Sequence, residues 1–418
     1  MLTDTPGLLE DIRARFAHVD SCPFAGPRVF FENAGGALTL KSVVETSVTF
    51  AAIPDNQGRD NVASHKLVEI ITKAKHDTKT FFGASDGIVF VGESGTELLF
   101  RLVRTVCAET RGAILGSTVE HPATRSACAK WAETLGLNYT QVPHDADLGL
   151  VTAADYAALV TADTRVATIL HTSPVTGMSN DVAAISAAIR AVAPDCFIIV
   201  DGIQHASHGH INIDSYDIDG YVISPYKVFS RHGYGVAWVS DRLAALSHEN
   251  LVGAPETAWE FGTRDTGAYA TMSDVVDYFE WLGTRVSDAE TPRARIEAAG
   301  AAIHAHEKSL TDAMLFGTGN QKGLTELPGV SCIGGPENPA REGLVSITIS
   351  SVPAVDVVAQ LNDQGIRTHL RKSDHYSGNI LEPLGLEGCI RVSLCHYNTH
   401  AEVAQFLAAM AEIVPQPA

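Results

Sequence analysis

Through roughly the first two-thirds of the chain, short runs of apolar, β-branched residues alternate with stretches of helical periodicity. Gly87–Val91, Ala113–Gly116, Arg165–His171, Cys196–Val200, Asp219–Ile223 and Tyr234–Val239 read as strands, each too short for a buried helix and rich in residues that favour a pleated surface. Helical patterns lie between them. After Asn180 and Asp181, for example, Ile185, Ala188 and Ile189 recur at helical spacing, with Asn180 placed to cap. Continuous apolar strands separated by helices predict an α/β fold whose mostly parallel sheet is covered on both faces. Ligands of such sheets sit beyond the carboxyl ends of the strands.

The alternation breaks near Ser287–Pro292, where Thr291-Pro292 supplies a cap and a proline at the first helical position. A long helix follows, with Ile296, Ile303, Leu310 and Met314 on one stripe. Beyond it come a strand at Leu344–Ser350, a helix from Pro353 to about Asp363 stopped by Gly365, and a strand at Ile390–Leu394. A last amphipathic helix opens with the capping box Thr399-His-Ala-Glu402 and turns Val403, Phe406, Leu407, Met410 and Ile413 inward. These elements predict a large α/β domain over 30–288 and a smaller α+β domain formed by 1–29 and 289–418. No internal repeat or low-complexity segment is found.

Composition narrows the class. The chain has 418 residues, 45% of them hydrophobic and 19% charged, which suits two globular domains. A formal charge of −19 argues against nucleic-acid or anionic-membrane partners. The seven cysteines are scattered singly without a CxxC pair, so neither a zinc centre nor a haem attachment is expected, and the pattern fits a reducing compartment. The N-terminus shows no basic and apolar leader, and no apolar run reaches membrane-spanning length; a cytoplasmic protein is expected.

Candidate chemistry lies at the strand ends. After Gly87–Val91 comes Gly92-Glu-Ser94-Gly95-Thr96, opening a helix whose Leu98, Leu99, Leu102, Val103 and Val106 face inward. Small residues and a hydroxyl at a helix N-terminus make an anion site, although the same residues serve as a plain cap. After Ala113–Gly116 comes Glu120-His121-Pro122, where His121 is either structural or an aromatic plate. Asp201-Gly-Ile-Gln204-His205 follows Cys196–Val200, and a carboxylate behind buried β-branched residues must be partnered or functional. Asp201 can hold a cationic ring nitrogen with Gln204 beside it; alternatively His205, His208 and His210 surround a metal with Asp201, at no standard ligand spacing. Finally, Ser224-Pro-Tyr226-Lys227 follows Asp219–Ile223. A desolvated strand-end lysine has a lowered pKa and suits Schiff-base chemistry, while Ser224 and Tyr226 add hydroxyls near the anion site.

An acid about two dozen residues ahead of such a lysine, with an anion cradle far upstream, is the layout that pyridoxal 5′-phosphate (PLP) requires. No G-x-G-x-x-G follows the first strand, which removes a nicotinamide reading. A cofactor-free scaffold or amino-acid-binding protein would not need the Asp, Gln, Lys and Arg set.

Taken together, these segments resemble the class V aminotransferase family of fold-type I PLP enzymes, in particular its cysteine-desulfurase-like and isopenicillin-N-epimerase-like branches. The resemblance runs from Phe31-Glu-Asn33-Ala34-Gly35-Gly36 to Arg391-Val-Ser-Leu-Cys-His-Tyr-Asn-Thr399, through Glu120-His121, Asp201–Gln204 and Ser224–Lys227. It implies a large domain with a seven-stranded sheet, an aldimine on Lys227, Asp201 at the pyridine nitrogen, Gln204 at the ring oxygen and His121 stacked on the ring. Ser94, Gly95, Thr96, Ser224 and Tyr226 would hold the phosphate. Gly262-Thr263 would reach the neighbouring phosphate of a homodimer, Arg391 would bind the substrate carboxylate, and Asn33, Ala34 and Gly35 would line the substrate pocket.

Three departures qualify the resemblance. Tyr226 stands where many relatives carry histidine. Thr172-Ser173-Pro174 replaces an asparagine contact to the ring, which is lost or passes to Ser173. The stretch Arg367 to Asn379 carries no cysteine nucleophile, and Cys389 and Cys395 read as small apolar strand residues. Amino-group transfer on a small amino acid is therefore the expected activity, with a C–S lyase, desulfurase-like or other Cα/Cβ-eliminating reaction as the alternative. Arg59, Arg231, Arg264, Arg367 and Arg371 are unranked candidates for a second anion contact.

Overall fold

The computed structural model describes residues 2–319 and 321–415. Its central sheet has seven strands: β1 (Ile88–Gly92), β2 (Ala113–Ser117), β3 (Tyr139–Val142), β4 (Thr164–Leu170), β5 (Phe197–Asp201), β6 (Gly220–Ile223) and β7 (Gly235–Val239). They lie in the order β1-β7-β6-β5-β4-β2-β3. Neighbours are parallel except at β7, which runs antiparallel to both β1 and β6. The mostly parallel sheet expected from the apolar runs is present.

Strand alternation explains why these runs are apolar throughout. Ile198, Val200, Tyr221 and Ile223 enter one cluster, while Phe197, Ile199 and Val222 enter another on the opposite face. A two-faced strand leaves no room for polar residues until it ends, and each buried Val or Ile contributes about 1.5–3 kcal/mol. Polar side chains therefore collect at the carboxyl ends.

A second sheet comprises β8 (Val330–Cys332), β9 (Leu344–Ile349), β10 (His369–Lys372) and β11 (Gly388–Ser393), all antiparallel, in the order β8-β9-β11-β10. Helix Pro292–Phe316 joins the two units: Ile296, Ala299 and Ile303 pack in the large-sheet cluster, Leu310 and Met314 in the small-sheet cluster. The chain start is divided similarly. Leu8 and Ile12 belong to the large cluster, whereas Val29 and Phe31 lie in the small one.

Strands β3, β8 and β10 were not expected. β3 is an edge strand with exposed Thr140 and Gln141, and β10 is an edge carrying His369, Arg371 and Lys372, so neither shows an apolar run. The Arg367–Asn379 stretch, for which no strand was expected, is thus partly strand. Among the described residues, no helix is long and apolar enough to cross a membrane.

Helix Thr266–Val286 meets helix Pro292–Phe316 at Gly283, where a Cβ would lie 2.2 Å from the Arg295 carbonyl oxygen. Alanine gains about 1 kcal/mol of helix propensity. Overpacking against backbone, which cannot rotate aside, costs about 1–3 kcal/mol or more. Gly283→Ala should therefore lower the urea midpoint at unchanged slope; a raised midpoint would contradict this packing.

Candidate active site

Lys227 closes the single turn Pro225–Lys227 immediately after β6, and its Nζ donates to Gln204 Oε1 at 3.3 Å. Asp201 is the last residue of β5 and is buried. Thr96, His121, Asp201, Gln204, Ser224 and Lys227 line one narrow slot at the carboxyl ends of the strands. The slot opens, past His121, Pro174, Tyr226 and Lys227, onto a cleft of about 560 Å³ that also contains Ala34, Gly35 and Arg391.

At the far end of the slot, Ser94 caps helix Gly95–Thr110 by accepting from the Glu97 amide at 3.1 Å. The first amides of that helix have no intrahelical partner. A Cβ on Gly95 would lie 2.5 Å from Ser224 Oγ and 2.6 Å from Ile203 Cδ1, so a side chain here would have to displace both. The result is a cradle of helix N-terminus, Thr96 and Ser224 suited to a phosphate. Ser94 contributes through the cap and does not itself line the slot.

The charges are tuned by burial. Desolvation pushes the Lys227 amine down to about 7, reinforced by Arg391 and Arg371 and opposed by Asp201. Burial raises the Asp201 carboxyl, while the Ile203 amide at 3.1 Å, Lys227 and Thr124 at 3.3 Å pull the other way. His121 is pushed down to about 3 by burial and then by Lys227, Arg371 and Arg125, so its ring is neutral. It also caps helix Pro122–Leu135, Nδ1 accepting from the Ala123 amide at 3.2 Å. Tyr226 faces slot and cleft, stacked on His232 at 4.3 Å.

Arg391 projects from β11, donates to the Pro174 carbonyl at 2.9 Å, and keeps a buried Nε without a partner. Burial, followed by Arg371, pushes its guanidinium down to about 9. Asn33 lies beneath the cleft. Its amide donates to the Ser393 carbonyl at 2.8 Å and its Oδ1 accepts from Tyr397, while the Ala34 amide donates to Ser393 Oγ at 2.9 Å. The Arg-x-Ser…Tyr-Asn motif therefore ties the Ala34-Gly35 segment to the strand that carries Arg391.

Other expected residues lie elsewhere. Thr263 is exposed and outside the slot of its own chain, with the adjacent Arg264 paired to Glu93. Ser173 lines neither the slot nor the cleft, and its Oγ accepts from the Val175 and Thr176 amides at 3.3 and 3.1 Å. Cys389 and Cys395 are buried; burial raises the first thiol to about 11 and the second well above the ordinary range, so neither offers a thiolate.

Nor are His205, His208 and His210 gathered with Asp201. His205 pairs with Glu342 and His208 with Glu307, each at 2.7 Å. Among the described residues the one set close enough to share an ion is His208, Glu307 and Cys395. His208 also meets Gln204 Nε2 at 3.1 Å, extending a buried chain from Lys227 through Gln204 to Glu307. Sequence reading missed both acids, since they stand 99 and 137 residues from their histidines and no local spacing marks them.

The fold is that of the fold-type I PLP enzymes. The class-V aminotransferase family model matches residues 29–406, and the chain belongs to that family. It is 24% identical to the aminotransferase-like protein FGM3 of Gibberella zeae over 96% of this chain and 97% of that protein. A probable cysteine desulfurase of Xylella fastidiosa is 25% identical over 97% of this chain and 95% of its own length. The apo structure of a cysteine desulfurase from Thermococcus onnurineus NA1 superposes with a TM-score of 0.80 at 21% identity, covering 98% of both chains.

The lowered Lys227 pKa has a direct readout. In cofactor-free protein, acylation of Lys227, followed by peptide mass spectrometry, should reach half its maximum near pH 7, as its neutral fraction grows with pH. Surface lysines should follow near about 10.4. Asp201→Asn should lower the Lys227 midpoint further, because it removes the charge that favours the ammonium. A Lys227 profile matching surface lysines would contradict the assignment.

Proposed function

We propose that the protein binds pyridoxal 5′-phosphate in the slot at Lys227 and transfers the amino group of a small amino acid held by Arg391. The observation that carries this reading is the convergence of Lys227, Asp201, Gln204 and Thr96 on one slot that opens onto the Arg391 cleft. The close approach of Gly95 to Ser224 fits a phosphate, and the buried carboxylate of Asp201 fits a protonated ring nitrogen.

Bound there, the cofactor would supply an electron-withdrawing ring that takes up charge developing at the amino acid's Cα. Lys227 presents a substantial neutral fraction of its amine near neutral pH, able to attack an aldehyde carbon and, once free, to carry a proton to and from Cα. Asp201 would keep the ring nitrogen protonated, and Gln204 would meet the ring oxygen. His121 offers a neutral flat face, and Gly95, Thr96 and Ser224 would hold the phosphate, with Tyr226 beside them. Arg391 would grip the α-carboxylate through its planar fork, next to Ala34 and Gly35. A homodimer belongs to this reading: Thr263 stands exposed on a loop anchored through Arg264 to Glu93, available to a neighbouring slot.

Elimination at Cα/Cβ or C–S cleavage is the second reading, favoured by the relatives described as cysteine desulfurases. It would have to proceed without a cleft thiol, since among the described residues no cysteine lines the cleft.

Titration of the holoenzyme with a panel of amino acids separates the two. Lasting loss of the visible band, restored by a keto acid, is the expected result. Return of the band with release of ammonia or a sulfur species would instead establish the second reading. Lys227→Ala should lower turnover by about 10²–10⁴-fold or more, the range of a lost proton-transfer group. Arg391→Lys should raise KM, losing about 1.5–3 kcal/mol of charge-assisted bonding, with the cofactor band unchanged.

A further inference from the structure

We infer that the cleft takes an amino acid bearing a second anion, a carboxylate or sulfinate on a short side chain, and that Arg371 is the group that selects it. The inference rests on the reading of Arg391 as the α-carboxylate clamp and extends it to the rest of the substrate.

The small sheet places the two arginines together. In the β10–β11 register Arg371 stands opposite Cys389, and His369 opposite Arg391. Arg371 and Arg391 are therefore diagonal neighbours on one face, about 7–8 Å apart at the backbone. Both line the cleft, and Arg371 lies outside the narrow slot that ends at Thr96. A phosphate cradled at Thr96 does not occupy it.

Among the described residues Arg371 has no close carboxylate partner. Its single hydrogen bond, from Nη2 to the Tyr376 carbonyl, is 3.4 Å long, and its Nε is buried with no acceptor. Asp374 is nearby, but its Oδ1 accepts from the Tyr376 amide at 2.9 Å, and among the described residues no carboxylate lies within ion-pair distance of Arg371. Glu32, the other acid of the cleft, is held by Arg367 at 2.7 Å and His369 at 3.0 Å. The remaining candidates for a second anion contact fall away. Arg231 pairs with Asp265, Arg264 with Glu93 and Arg367 with Glu32, while Arg59 is exposed and outside the cleft.

Arg371 is half-buried with its Nε out of water, which is costly for a guanidinium without a carboxylate partner, and it also repels Lys227 and Arg391. In a chain of net charge −19, two arginines in one cleft that feel Glu32 and Asp374 only at a distance amount to a site for two anions. Carboxylate and sulfinate share the paired oxygens to which a guanidinium fork donates.

Calorimetry on the cofactor-loaded protein tests this with unreactive probes: succinate and 3-sulfinopropionate against butyrate, which has the same chain length and one carboxylate. At least one dianion should bind tenfold or more tightly than butyrate, and the tighter of the two identifies the second group. Arg371→Gln should abolish the preference while leaving butyrate affinity within twofold. Equal binding of all three probes by the wild type would overturn the inference, as would equal weakening of all three in the variant. The wild-type comparison stands even if the variant fails to fold. The visible band keeps the two readings apart: protein that takes up no cofactor contradicts the proposed function, whereas protein with the band but no dianion preference contradicts only the role of Arg371.

Discussion

Desolvation of a single amine organises this molecule. Lys227 is held at the end of β6 by a turn whose amide donates to Ser224 at 2.9 Å, while the Tyr226 carbonyl accepts from Ala37 at 3.1 Å. The turn cannot swing its lysine into bulk water without breaking these bonds. Enclosed in this way, and facing the positive charge of Arg391 and Arg371, the amine loses its proton near neutrality. Asp201 opposes this only partly, being buried itself and shared with the Ile203 amide and Thr124. A lysine with a lowered pKa thus follows from packing and from the sign of its neighbours.

The same site ties the two sheets together. Arg391 belongs to the small sheet, yet it donates to Pro174, just beyond the end of β4 in the large one. Asn33, Ser393, Tyr397 and Asn398 form a buried hydrogen-bonded cluster beneath the cleft floor. Tyr397 also accepts from the Leu38 amide at 2.9 Å, which fixes the segment leading from Ala34 and Gly35. Helix Pro292–Phe316 carries apolar residues into both cores, so the spacing between Lys227 and Arg391 depends on packing far from either.

Much of this was legible before any coordinates. β5 and β6 are apolar from end to end, so Asp201 and Lys227 stand out as the first polar side chains after them. The Gly95-Thr96 helix start and the Arg391 to Thr399 motif carry their own local signals. What escaped was nonlocal or polar. Edge strand β10 hides among charged residues, and with it the fact that Arg371 shares a face with Arg391. Glu307 and Glu342 look like ordinary charges on a helix and in a loop; only the fold brings them to His208 and His205. Asn33 reads as a pocket residue from its motif, whereas its amide is spent on holding the floor.

The central claim is that Lys227 carries the cofactor. Borohydride reduction of the holoenzyme, followed by proteolysis and mass spectrometry, tests it most directly. The account predicts one stoichiometric pyridoxyl adduct, on the peptide containing Lys227, and none when Lys227 is replaced by alanine. An adduct on another lysine, or none in wild-type protein that retains its visible band, would contradict it.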